Sequence, residues 1–134
     1  MNTNTQILIW ISSITIMVFL IIIIGGLTRL TDSGLSMVDW RPLMGIIPPL
    51  SNQTWLEIFN NYKLTPEFQI VNSKISLMEF KSIFWWEWFH RFFARLIGVV
   101  FIFPLIYFFW KKQLSKNLLI SMTIILIFGF FSSI

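Results

Sequence analysis

Residues 83–110 read IFWWEWFHRFFARLIGVVFIFPLIYFFW. At 1.5 Å per residue this run exceeds the roughly 30 Å hydrocarbon core of a bilayer, and an apolar stretch of that length predicts a membrane-crossing helix. Its ionisable groups, Glu87, His90, Arg91 and Arg95, all lie in its first half. Residues 7–27, ILIWISSITIMVFLIIIIGGL, carry no charge and are long enough to cross once. A third apolar run occupies residues 117–134 and just reaches spanning length at Ile134, the last residue. A chain that stops inside an apolar run is expected to be a fragment or a truncated reading frame.

The composition agrees. The chain is 56% hydrophobic and 12% charged, against about half and a quarter in soluble domains. The apolar residues are gathered in blocks and are not spread at helical or strand periods, so the fold class is all-α and integral to a membrane. A cleaved secretory signal would need a basic start, a shorter apolar run and a small-residue cleavage site. Met1 to Gln6 contains no basic side chain.

The formal charge of +4 does not describe a nucleic-acid surface, because of where it sits. Lys111, Lys112 and Lys116 lie between the second and third apolar runs, whereas residues 28–82 balance five basic against five acidic side chains. The positive-inside tendency puts the short Lys-rich loop and the N-terminus in the cytoplasm and the long segment outside. Trp10 and Trp110 are then expected at the inner interface, and Trp85, Trp86 and Trp88 at the outer one. The absence of cysteine excludes disulfides and thiolate metal sites within this chain.

Within the outer segment, residues 28–76, Pro42, Pro48, Pro49 and Pro66 with Gly34 and Gly45 predict turns and extended chain. Trp40, Trp55, Phe59, Tyr62 and Phe68 give it aromatic surface for packing. Thr54 and Glu57 have capping-box spacing and predict a short helix over 55–61. Ser76 and Glu79 repeat that spacing ahead of the second apolar run and predict one helix over 77–110, with a kink near Pro104.

On that helix Glu87, His90, Arg91, Ala94, Arg95 and Gly98 fall within an arc of roughly 140°, while Trp88, Phe89, Phe92, Phe93 and Ile97 cover the remainder. A charge at membrane depth costs on the order of 2.5 to 3.5 kcal/mol, so this face needs a polar partner other than lipid. His90, the sole histidine, can be a buried imidazole bonded to a neighbouring helix or an axial ligand of a heme iron. Arg91 and Arg95 can snorkel to headgroups or pair with the carboxylates of a bound cofactor. Glu87 can pair with Arg91 along the helix or, beside a metal cofactor, orient water and move protons.

The succession of motifs resembles the heme A synthase family, in its proteobacterial and mitochondrial branch. It runs through GGLTRLTDSGLSM at 25–37, Trp40-Arg41-Pro42, GIIPPL at 45–50, Pro66-Glu67-Phe68 and EFKSIFWWEWFHR at 79–91, and covers most of residues 7–110. The chain departs from the family pattern at Ala94, where glycine is usual, and lacks the cysteine pair that some members carry in the first outer loop.

The resemblance implies an eight-helix membrane enzyme of two similar four-helix halves. This chain would be the N-terminal part, with transmembrane helices at about 7–27, within 77–110 and at 117–134. Such enzymes oxidise the methyl group at ring position eight of heme O to a formyl group, making heme A for cytochrome oxidase. Glu87 then matches the family's essential acid, and His90 the substrate-heme ligand that faces a histidine of helix four. A b-type heme belongs to the C-terminal half. The implied setting is the bacterial inner membrane, with the remaining transmembrane helices, heme O synthase and a second copy of the protein as expected partners and nucleic acid as none. The chain alone is expected to be inactive. The alternative from another class is a membrane heme-binding or electron-transfer subunit that completes its site with His90 of a second copy.

Overall fold

The computed structural model describes residues 2–38 and 47–132. Trp40, Arg41, Pro42 and Gly45, expected in the outer turns, lie outside the described residues. Every regular element is a helix among the described residues: α1 (Thr3–Leu30), α2 (Asn52–Lys63), α3 (Pro66–Ile70), α4 (Leu77–Trp110) and α5 (Lys116–Ser132). Two of them, α1 and α4, are long and apolar enough to cross a membrane, and α5 is a shorter apolar helix. This is a helical membrane protein. Ile16, Phe19 and Ile22 of α1 are 60%, 63% and 67% exposed, the arrangement of a helix whose solvent is lipid and not a protein core.

The helix ends follow from local chemistry. Asp32 adopts φ 48° just past α1, and Ser33 N–H donates to the Thr28 carbonyl, the six-to-one bond of a Schellman stop. Lys112 (φ 52°) ends α4 in the same way, with Gln113 N–H on the Phe108 carbonyl. At the start of α4 the Ser76 N–H and hydroxyl donate to Glu79 Oε2 at 2.7 and 2.9 Å, while Glu79 N–H donates to Ser76 Oγ at 3.3 Å. That reciprocal box starts the helix before the apolar run begins. At 34 residues α4 is therefore longer than a bilayer requires.

The outer segment is more helical than its sequence predicts. The cap of α2 is Ser51 and not Thr54: Ser51 Oγ accepts from Thr54 N–H, so the helix begins at Asn52. The Thr54–Glu57 spacing is one turn inside it. Thr65 and Pro66 start α3, which has no periodic signal because it is five residues long.

The chain divides into two compact units, Met17–Leu96 and Met1–Ile16 with Ile97–Ile134. In the first, α2 presents Trp55, Phe59 and Tyr62 at helical spacing to Phe80, Phe84 and Trp88 of α4. Phe80 lies 4.9 Å from both Phe59 and Tyr62, and Trp55 meets Phe84 edge-on at 5.0 Å. This aromatic block seats the segment between α1 and α4 on the N-terminal half of α4. Of the tryptophans expected at the interfaces, Trp86 and Trp110 are 39% and 79% exposed, while Trp88 is buried in the block.

The second unit centres on Trp10, Phe101, Phe108 and Met122. Pro104 has no N–H, so the Val100 carbonyl four residues earlier loses its helical donor. Trp10 replaces it: the indole N–H donates to the Val100 carbonyl at 2.9 Å. Trp10 is accordingly 6% exposed, its ring packed against Phe101 and Phe108.

Two outcomes follow. Trp10→Phe leaves the Val100 carbonyl unpaired and should cost about 1–3 kcal/mol. On a Pro104→Ala background, where the backbone bond is restored, the same change should cost clearly less. A double-mutant cycle on unfolding in detergent micelles reads the difference, and equal losses on both backgrounds would contradict the account. Burial, opposed in part by the Asn72 amide bonded to its hydroxyl, pushes the Tyr62 phenol above its ordinary 10.0. The folded state thus holds that proton more tightly, and the contribution is intact below pH 10 and lost as pH rises through the folded value. Tryptophan fluorescence across the alkaline range should show the outer block loosening in the wild type and not by this route in Tyr62→Phe.

Candidate functional site

Glu87 is 3% exposed on the membrane-crossing helix, a position that demands donors for both carboxylate oxygens. It has them. Arg91, one turn on, donates through Nε (3.0 Å) and Nη2 (2.5 Å) to Oε1. The Ser36 hydroxyl (2.6 Å) and the Met37 N–H (2.9 Å) donate to Oε2. Every bond is accepted by Glu87, so the geometry is that of a carboxylate.

The turn after α1 is built to deliver those two donors. Ser33, fully buried, bonds to the Thr28 carbonyl at 2.9 Å and to the Thr31 hydroxyl at 2.7 Å, and Thr28 caps back onto Gly25. With the Schellman stop at Asp32, this reverses the chain so that Ser36 and Met37 meet α4 some fifty residues later in sequence.

His90 is half-buried, and neither imidazole nitrogen has a hydrogen-bond partner among the described residues. Its Nε2 faces Gly25 of α1: a Cβ built at that glycine would stand 3.1 Å from Nε2. The missing side chain is what leaves room at this nitrogen. Glu87 and His90 therefore both address α1 and the turn that leaves it. Gly98, on the same arc of α4, has open space around it.

The two arginines differ. Arg91 is spent on Glu87, the helical pairing that the sequence left open. Arg95 has a buried Nη1 with no partner among the described residues, as does the indole N–H of Trp88. Arg95 is thus the guanidinium free to pair with a ligand's carboxylate.

Among the described residues, none form a group of three or more His, Cys, Asp or Glu able to hold a metal ion. A free divalent ion held by protein takes three or four such ligands. One imidazole with an unpaired nitrogen suits an iron whose other ligands come from a macrocycle, and the unpaired Arg95 Nη1 suits the carboxylates at that macrocycle's edge. The residues present fit a heme.

The family model for cytochrome oxidase assembly protein (COX15-CtaA) matches residues 8–134. The chain belongs to this family. Its curated relatives include the heme A synthases of Nitrosospira multiformis, 47% identical over 90% of this chain and 34% of the relative, and of Flavobacterium psychrophilum, 46% identical over 98% and 39%. That of Caulobacter vibrioides is 44% identical over 88% of the chain and 34% of the relative. The chain spans about a third of the length of these relatives. No solved structure matches it.

Sequence reasoning found the α4 face and its four ionisable groups. It missed Ser36 and Met37 as partners of Glu87, and Gly25 as the neighbour of His90. Both glycine and serine sit in the 25–37 motif, whose density of small polar residues was the one available signal. Removing Arg91 strips half the donors from a buried carboxylate, so Arg91→Ala should destabilise the fold by about 1–3 kcal/mol. Arg95→Ala removes a nitrogen that bonds to nothing and should cost less. Unfolding midpoints in detergent give the order, and a larger loss at Arg95 would reverse the assignment of the two roles.

Proposed function

We propose that the protein from which this chain comes is a heme A synthase, oxidising the ring-position-eight methyl of heme O to a formyl group. The observation that carries this is His90, an unpaired imidazole on a membrane helix beside a buried, unpaired Arg95 nitrogen, in a chain of this family. His90 would hold the iron of the substrate heme through its imidazole nitrogen. Arg95 holds a propionate at the porphyrin edge, with a charge-assisted bond to the nitrogen that otherwise has no acceptor. Glu87 is the acid of the site.

Glu87 also fixes Arg91 and the 31–37 turn, so the wall of the pocket on this side is rigid before any ligand arrives. The Trp55–Phe84 block next to it supports the exclusion of water from the reacting edge. A b-type heme in the remaining helices supplies electron transfer when bound. The setting we propose is the bacterial inner membrane, with the Lys111–Lys116 side in the cytoplasm and the outer segment across the bilayer. Heme O synthase and a second copy of the protein are the partners that fit this role.

The test replaces the matching N-terminal part of the Nitrosospira multiformis relative by residues 8–134 of this chain, in a host without heme A synthase. Heme A measured as its pyridine hemochrome should appear. His90→Ala should abolish it, and Glu87→Ala should lower it at least about a hundredfold, the lower range for one acid–base group. Normal heme A from a correctly inserted His90→Ala chimera would end the proposal.

A further inference from the structure

Glu87 presents a chemical difficulty that points to an unassigned residue. Three of its four hydrogen bonds come from groups that only donate: Arg91 Nε, Arg91 Nη2 and the Met37 N–H. None of them can accept a hydrogen bond from a protonated carboxyl oxygen. The fourth partner, the Ser36 hydroxyl 2.6 Å from Oε2, both donates and accepts. Ser36 is itself only 1% exposed and is held in place by the turn that the Thr28–Ser33 bonds close.

We infer that Ser36 is the positioning residue of Glu87, and the one of its four partners that lets this carboxylate take up and release a proton in place. A proton arriving at Oε2 makes one new O–H bond, which Ser36 Oγ then accepts. The serine keeps its own hydrogen, which turns away from Oε2, so the Ser36–Glu87 hydrogen bond reverses direction and no covalent bond to Ser36 breaks. When the proton leaves, the hydroxyl swings back to donate, while the Met37 N–H and Arg91 hold the carboxyl group still throughout. The titratable or charged groups that feel the Glu87 carboxylate are Arg91, one turn on, and the Tyr62 phenol of α2; Arg95 and His90 follow on α4, and Arg29 and Asp32 end α1. Among the described residues Ser36 is the one partner of Glu87 able both to donate and to accept. The significance of that property rests on the heme-modifying role proposed above, but its geometry does not.

The experiment uses the whole chain in detergent micelles, with no heme, carrying 13C-labelled glutamate carboxyl groups. The infrared band of Glu87 is identified as the one lost in Glu87→Gln. Ser36→Ala should shift that band and speed exchange of the Met37 amide about tenfold as the turn loses its second tether. Ser36→Thr keeps the hydroxyl and should leave both as in the wild type. The inference is overturned if Ser36→Ala leaves the band unmoved, or if Ser36→Thr, folded by circular dichroism, behaves like a chain with no hydroxyl. The threonine variant decides the matter even where the alanine variant does not fold. An inactive chimera alongside these expected spectra would remove the enzymatic role and leave Ser36 in place.

Discussion

A carboxylate cannot be left bare at membrane depth. Glu87 sits on a helix that must cross lipid, and its burial is tolerated only because two elements bring donors to it, one on each oxygen. The consequence runs outward from that atom pair. The bond at Oε1 takes Arg91 out of circulation, and the bonds at Oε2 require the chain after α1 to turn back at Asp32 and present Ser36 and Met37. The turn is thus a condition for burying Glu87, and Glu87 is what ties the turn to α4.

The same accounting separates structural groups from functional ones. Where a polar group is structural, its partner is found: Pro104 frees the Val100 carbonyl, and Trp10 supplies the donor. Where no partner is found, the group clusters at one place. His90, the Arg95 Nη1 and the Trp88 indole N–H fall within two turns of α4, beside a fully satisfied Glu87. A membrane helix that satisfies one ionisable group four times over and leaves its neighbours unmatched is selectively incomplete.

Much of the fold was legible because its signals are local. Three long apolar runs read directly as helices, and the Ser76–Glu79 box placed the start of α4 because capping depends on four consecutive residues. The polar stripe followed from the 100° step alone. What could not be read depends on contacts distant in sequence. Ser36 looks like any serine in a turn until it meets Glu87, 51 residues away. Gly25 looks like a packing residue within an apolar run until His90 is found against it. Trp10 gives no local sign that its indole N–H meets the Val100 carbonyl freed by Pro104, 90 residues away. In α2 a stronger cap at Ser51 overrode the Thr54 signal, a competition between adjacent hydroxyls that residue type does not decide.

The charge on the α4 face sets what can come against it. Glu87 and Arg91 neutralise each other at 2.5 Å, which leaves Arg95 as one uncompensated positive charge beside an imidazole that is neutral when it acts as a ligand. Lipid tails cannot compensate it, and its Nη1 is buried with no hydrogen-bond partner among the described residues. On the proposed function, the ligand would be anionic at one edge, rich in apolar surface elsewhere, and open to an imidazole nitrogen. A porphyrin with propionates and a bound iron satisfies all three demands at once, whereas an isolated anion satisfies the first alone and a lipid the first two. The electrostatics of a single helix face thus select among ligand classes before the rest of the pocket is considered.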